Sequence, residues 1–481
     1  MVALGIAMVA TVAFTSLLAA NWSWSIALGA AAVTAGVLVY LGRPGIAIAA
    51  ILLPFAILDE GTDDALPGLS RVATVLYGDY AQGFLAPRDV LLVLAAVAAA
   101  AFFPAAADRR PRLLGSVTWV IVAAGGFLVG GLLVGLYLLH NPSGSLVGLR
   151  PFYSSVLAAF VVWRVLRSMP RERAERVVLG ASVVVGGILI AIGAVRVLGL
   201  AGTAIEIDGV PITFFDSAGP YALLCCVGIW ALALTERRVV GPQWIALGVL
   251  VLAGLTVAIT SQRRSIIVGY AIAALALLVL NAVRRRGGFL RSVRILAGVL
   301  AMLVVVVVVV SVAVPGAGDV FIDRAGTALS AAEESSSTDP SLQYRVDESD
   351  AVYALAGRNL WTGIGPTAGF TPVNGVTLPT DGTYTHNTYL TLPLRYGLWG
   401  ILSLMVLVLG LVITVSRGLL NDISTQAWVL GAAILALLPA IATAAFLTQT
   451  SRWAVVVGVI VGAFDALTDP PADEPAEAVG R

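Results

Sequence analysis

Long apolar segments recur along this sequence, and no other feature constrains its fold as strongly. The segments run to about 17 to 25 residues, the length at which a helix rising ~1.5 Å per residue crosses a hydrocarbon core ~30 Å thick. Hydrophobic residues fill 59% of the 481 positions and charged residues only 12%, whereas soluble domains carry about 25% charged residues. The sequence therefore predicts an all-α, polytopic integral membrane protein, a bundle of about 12–14 transmembrane helices.

The predicted spans cover most of the chain. The first has no basic flank and no convincing cleavage site, so we interpret it as a retained span and not as a signal peptide. The third is short enough to be half of a broken or re-entrant pair. The spans are predicted near residues 2–20, 25–41, 45–57, 89–107, 115–139, 153–167, 177–200, 217–234, 242–260, 264–283, 295–314, 386–416, 426–447 and 452–467.

Charged residues orient these helices, because cytoplasmic loops of membrane proteins carry an excess of basic residues. With both termini in the cytoplasm, most of the 29 basic residues, all of them arginines, fall on the cytoplasmic side. Most of the 28 acidic residues fall on the other side. The longer external segments are then residues 58–88, the short polar turn 201–216 and the large loop 315–385.

Three regions follow from this arrangement. Residues 1–241 hold the N-terminal transmembrane helices, and residues 242–467 form a second transmembrane domain that includes the large extracytoplasmic loop 315–385. Residues 468–481 are rich in proline and acidic residues, and we expect a disordered cytoplasmic tail there.

Inside the large loop, residues 341–357 have the pattern of an amphipathic helix, which Ser341 can cap and Gly357 can end. Its predicted apolar positions are Leu342, Val346, Tyr353 and Leu355. Its acidic residues are predicted to form a solvated face in the early turns; the alternative is a divalent metal site, since carboxylates bind such ions. These acids are Asp347, Glu348 and Asp350. A tightly turned segment is predicted next, from Gly363, Gly365, Pro366 and Gly369.

Several arginines are exceptions to the charge bias because they lie on the predicted external side. Arg263 and Arg264 occupy a very short turn, Arg150 ends a loop ahead of a span, and Arg345 lies on the amphipathic loop helix. One interpretation is that they reach toward lipid phosphates. The other is an anion site, because guanidinium groups grip phosphate oxygens with paired hydrogen bonds.

The chain has two histidines, and they differ in position. His140 stands at a predicted helix end, where it can cap carbonyl groups. His386 precedes Asn387 at the start of the span that closes the large loop, where a neutral imidazole could accept a proton from a hydroxyl group; the alternative is an interfacial hydrogen-bonding histidine. No zinc ligand set, phosphate-binding loop or dinucleotide motif is present, and nothing indicates a nucleic-acid partner.

Three motifs, in order, give the sequence a resemblance to a known family. Asn359-Leu360-Trp361-Thr362-Gly363-Ile364-Gly365-Pro366 is followed by His386-Asn387-Thr388-Tyr389-Leu390 and then by Tyr396-Gly397-Leu398-Trp399-Gly400. Upstream, Ser261-Gln262-Arg263-Arg264-Ser265 is similar to an arginine motif at the start of the family's domain. Over roughly residues 245–415 the chain resembles the O-antigen ligase and O-antigen polymerase superfamily.

This resemblance implies a GT-C-like, metal-independent inverting glycosyltransferase of the bacterial cytoplasmic membrane, with its active site on the extracytoplasmic side and no cofactor. The implied donor is a polyprenyl-diphosphate-linked glycan, and the implied acceptor is a hydroxyl of a glycan or lipid. Carried over by position, His386 is the general base, while Arg264 and Arg345 hold the diphosphate. Arg263 is the alternative to Arg264, and Arg150 is a third candidate.

The supporting positions include one departure from the family pattern. Asn387 and Tyr389 belong to the histidine motif, whereas Arg395 occupies a commonly acidic position, where it could add to the anion site, alter acceptor choice or pair with an acid. Leu360 stands where the family usually has proline. The implied surroundings are the lipid bilayer, with a flippase or chain-length regulator as further partners.

Two other functions remain open on the sequence alone. A transporter or flippase of lipid-linked glycans would bind the same donor without covalent chemistry. A metal-dependent glycosyltransferase would use Asp347 and Asp350. Ligation and polymerisation are not separated by these motifs.

Overall fold

The computed structural model describes residues 87–104, 114–139, 142–197, 205–207, 210–212, 248–254, 340–366, 385, 387–420, 424–442 and 451–468, with isolated positions between 42 and 322. Nearly all of these residues are helical. In chain order the elements are α1 (Pro87–Phe102), α2 (Ser116–Leu139), α3 (Pro142–Arg167), α4 (Arg171–Val197), β1 (Ile205–Ile207), β2 (Val210–Ile212), α5 (Pro340–Arg358), α6 (Thr388–Tyr396), α7 (Leu398–Leu420), α8 (Thr425–Ala440) and α9 (Ser451–Thr468).

Three helical segments in the described part of the chain are long and apolar enough to cross a membrane. They are Ser116–Leu138 in α2, Gly148–Arg167 in α3 and Leu398–Leu420 in α7. Gln426–Ala440 and Trp453–Thr468 are shorter apolar helices. The prediction of a helical integral membrane protein is confirmed, while most of the predicted spans before residue 87 and between residues 217 and 314 lie outside the described residues.

Several predicted boundaries are wrong. Helix α3 begins at Pro142 and not near residue 153. The predicted span 386–416 is two helices, because the chain turns at Gly397 between α6 and α7. The segment predicted as a short polar turn at 201–216 contains the antiparallel hairpin of β1 and β2, in which Ile205 pairs with Ile212.

Helices α3 and α9 pack closely because small residues line their contact. A Cβ atom at Gly458 would overlap the carbonyl oxygen of Ser155, and one at Gly462 would overlap that of Ala159. Small residues let transmembrane helices approach to backbone distance, where dispersion contacts are most numerous. This close packing fixes the position of α3 relative to α9.

Helices α2 and α7 run antiparallel. Gly410 of α7 faces Val120 near the start of α2, and Trp399 near the start of α7 faces Gly130 in the second half of α2. Between them, the Ser403 hydroxyl donates to the carbonyl of Ala124 at 2.7 Å. The end of α2 and the start of α7 therefore lie on the same side of the helical domain.

Helix α9 is joined to the start of α2 by hydrogen bonds. The buried Asp465 carboxylate of α9 accepts from the backbone N–H groups of Val117 at 3.2 Å and Thr118 at 2.9 Å, and from the Thr118 hydroxyl at 2.5 Å. The first N–H groups of a helix have no partner within it, and a negative charge there also favours the helix dipole. Asp465 thus caps α2 from a position about 350 residues away in sequence.

The amphipathic loop helix is present as α5, but its predicted faces are wrong in part. The helix begins at Pro340, so Ser341 lies inside it and the acids do not fall in its first turn. Glu348, predicted to be solvated, is 2% exposed, while Val346 and Tyr353, predicted to be apolar contacts, are 55% and 66% exposed. Leu355 packs against an apolar cluster as predicted, but the buried members of that cluster are Val352 and, on α6, Leu390 and Leu394.

Candidate active site

The glycine-containing turn at residues 359–366 is bonded backbone to backbone to the junction of α6 and α7. Ile364 N–H donates to the carbonyl of Leu394 at 2.9 Å, and Gly365 N–H donates to that of Arg395 at 3.2 Å. In return, Leu398 N–H donates to the carbonyl of Leu360 at 2.5 Å. Two segments that are thirty or more residues apart in sequence therefore form one compact unit at the start of α7.

Glycine is required in this unit for two reasons. Gly363, Gly365 and Gly397 have φ values of +64°, +98° and +59°, a region that residues with a Cβ atom adopt at a cost. In addition, a Cβ atom at Gly363 would overlap the backbone of Arg395, and one at Gly397 would overlap the carbonyl of Leu360. The predicted tight turn is confirmed at Gly363 and Gly365.

Arg395 is part of the same unit. Its side chain is 3% exposed, and its Nη1 donates to the carbonyl oxygen of Gly365 at 3.1 Å. A guanidinium group can satisfy several acceptors at once because it has five N–H donors in a fixed plane. Arg395 therefore holds the glycine turn from inside, a contact that its position in the sequence did not indicate.

The residues on either side of His386 are held by a local hydrogen-bond network. Asn387 is the N-cap of α6, since its side chain accepts from Tyr389 N–H at 2.9 Å. The hydroxyl of Thr385, a buried residue, donates to the carbonyl of Asn387 at 2.7 Å and lies 2.5 Å from the Thr391 hydroxyl. His386 itself lies outside the described residues.

Two further hydrogen bonds attach the beginning of α6 to the end of α8. The Tyr389 hydroxyl donates to the carbonyl of Leu438 at 2.8 Å, and Thr388 N–H donates to the carbonyl of Ile441 at 3.0 Å. Asn387 and Tyr389 thus both act on the position of the helix start: one forms its cap, and the other joins it to a neighbouring helix.

Arg150 does not end a loop, as the sequence predicted, but lies within α3 and is buried. Its Nε is 3.1 Å from Oδ2 of Asp89 on α1, which is also buried. Two residues earlier on the same helix, Gly148 lies directly against Pro366 and the Tyr396 hydroxyl. The part of α3 that carries Arg150 therefore borders the glycine turn.

Of the remaining predicted arginines, one is among the described residues and two are not. Arg345 is a partly exposed residue of α5, and α5 packs on α6 through Val352. Arg263 and Arg264 lie outside the described residues. The structure thus brings the helices that carry Arg150 and Arg345 to the same motif unit, α3 through Gly148 and α5 through Val352.

The acids of α5 do not share one environment. Glu348 is buried, whereas Asp350 is exposed. Within the described residues, no group of three or more histidine, cysteine or acidic side chains is placed to hold a metal ion.

Two residues of the region were missed by sequence reasoning. Asp89 stands at the very start of a predicted span, and the sequence analysis gave it no role and no partner. A useful signal was available, because ionisable residues inside helical membrane domains usually have a specific role. Thr385 gave no signal, since only the fold brings its hydroxyl to Thr391.

Comparison with known families adds one finding. The family model described as O-antigen ligase matches residues 247–405, about a third of the chain, and this range includes α5, the glycine turn, α6 and the start of α7. A search of curated proteins finds no matching relative. The family match confirms the resemblance inferred from the motifs.

Proposed function

We propose that this integral membrane protein, whose residues 247–405 match the O-antigen ligase family, transfers or polymerises glycan from a polyprenyl-diphosphate-linked donor onto an acceptor hydroxyl. One observation carries the proposal. The glycine turn is hydrogen-bonded to Leu394 and Arg395 at the end of α6 and to Leu398, the first residue of the span Leu398–Leu420. Helix α6 thereby connects this turn to the capped histidine motif at its own start.

His386 is the proposed general base. Its two sequence neighbours, Thr385 and Asn387, belong to the hydrogen-bond network around the α6 cap, so the histidine motif is part of the bonded helix start. A base must lie within hydrogen-bonding reach of the proton that it removes, and a histidine has a suitable pKa for this at neutral pH.

The proposed reaction is a single displacement with inversion. The imidazole of His386 takes the proton of the acceptor hydroxyl while the hydroxyl oxygen forms a bond to the anomeric carbon. The bond between that carbon and the diphosphate oxygen breaks, and the polyprenyl diphosphate leaves with the bonding electron pair. Arg345, Arg264 or its neighbour Arg263, and Arg150 stabilise the growing negative charge, the role a metal ion would otherwise have.

The proposed setting is the extracytoplasmic face of the bacterial cytoplasmic membrane, in a GT-C-like bundle of about 12–14 spans. Its support is the distribution of arginine, which favours the cytoplasm for the termini. A flippase that delivers the donor and a chain-length regulator are the partners that such a reaction would use.

The test compares the two histidines of the chain. Cells lacking the gene should accumulate a lipid-linked glycan, and the unaltered protein should restore its consumption. We expect His386→Ala to lower the transfer rate about 10²- to 10⁴-fold, the usual contribution of a general base, at unchanged protein level. His140→Ala is the matched control and should remain active.

Three results would contradict the proposal. An active His386→Ala protein would remove the histidine from the reaction. Loss of activity in EDTA would instead indicate a metal site such as the carboxylates of α5. Movement of the lipid-linked glycan across proteoliposomes without product formation would identify a transporter.

A further inference from the structure

Three large apolar or aromatic side chains on α5 and at the start of the glycine turn are exposed. On α5, the exposed Tyr353 follows the buried Val352, and the chain then continues into Leu360 and Trp361. The exposed fractions of Tyr353, Leu360 and Trp361 are 66%, 47% and 69%. We call these three residues the aromatic patch; exposed Arg358 lies between them in sequence.

The depth of this patch follows from its hydrogen bonds. Leu360, which precedes Trp361, accepts at its carbonyl from the N–H of Leu398, and Leu398 is the first residue of the membrane-crossing segment Leu398–Leu420. Because Leu360 is bonded to Leu398 and consecutive Cα atoms are ~3.8 Å apart, Leu360 and Trp361 lie within about one helical turn of the level at which α7 begins.

A second helix extends past this level on the same side of the helical domain. Helix α2 is antiparallel to α7, with Gly130 and Gly131 against Trp399 and Tyr396, so its last turns extend toward the side of the aromatic patch. In those turns Tyr137 is 81% exposed. Exposed aromatic residues thus occur at the corresponding ends of two membrane-crossing helices.

We propose that the aromatic patch is seated in the lipid–water interface of the bilayer and anchors α5 and the glycine turn to the membrane surface. Tryptophan and tyrosine are enriched at this depth because their rings are apolar and their N–H and O–H groups can still reach water. Arg358 fits the same partner, since its long side chain can extend to lipid phosphates. Lipid is the partner that covers the aromatic patch. The patch lies at the level of the lipid headgroups, and contact with lipid removes its apolar side chains from water.

The inference goes beyond the proposed function and does not depend on it. A protein that moved glycans without covalent chemistry could have the same anchored surface. Its consequence for the proposed reaction is that Arg345, on the same helix as Tyr353, would be held near the level of lipid phosphates.

Depth can be measured with environment-sensitive fluorophores on single cysteines. In the full chain with Cys225→Ala and Cys226→Ala, the labelled variants are Trp361→Cys and Tyr353→Cys, reconstituted in phosphatidylcholine–phosphatidylglycerol nanodiscs. Leu409→Cys, exposed in the middle of α7, reports the hydrocarbon core. Asp350→Cys, exposed on α5, reports water, since a carboxylate there stays hydrated.

We expect labels at 361 and 353 to be quenched most by lipids with a shallow nitroxide, the label at 409 by lipids with a deep nitroxide, and the label at 350 by aqueous iodide. Iodide quenching at 361 equal to that at 350, without lipid quenching, would overturn the proposal. Protection of position 361 from both quenchers would also overturn it, because a second copy or another protein would then cover the patch.

A second measurement leaves both native cysteines in place. A benzophenone amino acid at position 361 of the full chain, irradiated in native membranes, should produce a lipid adduct detectable by intact mass, and the same group at position 350 should not. Equal adduct formation at both positions, or none at 361, would contradict the anchor.

Discussion

At the scale of single residues, Gly397 is the position at which the absence of a side chain has the largest effect on the structure. It lets the chain turn between α6 and α7 at φ +59°, and its missing Cβ leaves room for the carbonyl of Leu360. We expect Gly397→Ala to destabilise the protein by at least about 1–2 kcal/mol from the backbone conformation alone, and to abolish glycan transfer by displacing the glycine turn. Thermal unfolding in detergent and transfer assays measure the two effects.

The chain supplies its own control for this substitution. Gly135 of α2 has no atom within 4 Å of a Cβ built on it, and it is helical, so Gly135→Ala should keep or slightly raise stability. If both variants unfolded at the same temperature as the unaltered protein, the turn would tolerate a side chain, and glycine would not be required at position 397.

At the scale of elements, the ion pair of Asp89 and Arg150 joins α1 to α3. Removing one partner of a buried pair leaves an uncompensated charge and costs about 3–5 kcal/mol, whereas replacing both by apolar residues is often neutral. We therefore expect Asp89→Leu and Arg150→Leu each to destabilise the protein, and the double variant to recover stability. Unfolding temperatures of the four proteins complete the cycle.

The same four proteins test the proposed role of Arg150 toward the diphosphate. If Arg150 also holds substrate, the double variant should regain stability and still transfer glycan poorly. A double variant that regained both stability and activity would limit Arg150 to joining the helices.

The bond between α9 and α2 is a second prediction at this scale. Asp465→Ala removes the acceptor for two N–H groups and one hydroxyl, and buried donors left without an acceptor cost about 1–3 kcal/mol. We expect a lower unfolding temperature than for Thr118→Val, which loses the hydroxyl alone. The opposite order would show that the carboxylate does not cap α2.

At the scale of the whole molecule, the two ends of α7 should lie on opposite sides of the membrane. In the chain with Cys225→Ala and Cys226→Ala, we expect Asp350→Cys to react with an impermeant maleimide added outside intact cells. Arg417→Cys, exposed near the other end of α7, should react only after permeabilisation. The reverse pattern would invert the orientation and contradict an extracytoplasmic active site.

Sequence patterns predicted elements better than they predicted partners. The loop helix was predicted within one residue at each end, because amphipathic spacing and a terminal glycine are local signals. The face that it buries was predicted only in part: Leu355 makes an apolar contact as expected, but Val352 and Glu348 are buried only by what packs against them. The division of 386–416 at Gly397 was missed because apolar residues continue across the turn, and hydropathy does not register a change of direction.

The sequence by itself determined that the chain is a helical membrane protein with the O-antigen ligase motifs, because segment length, apolar content and motif order can be read along the chain without knowing which residues are in contact. Tertiary structure alone decided that Arg395 holds the glycine turn, that Asp89 faces Arg150 and that Asp465 caps α2. Each of these contacts joins residues far apart in the chain. Their geometry depends on how the helices pack, and a linear pattern contains no information on distance across a fold.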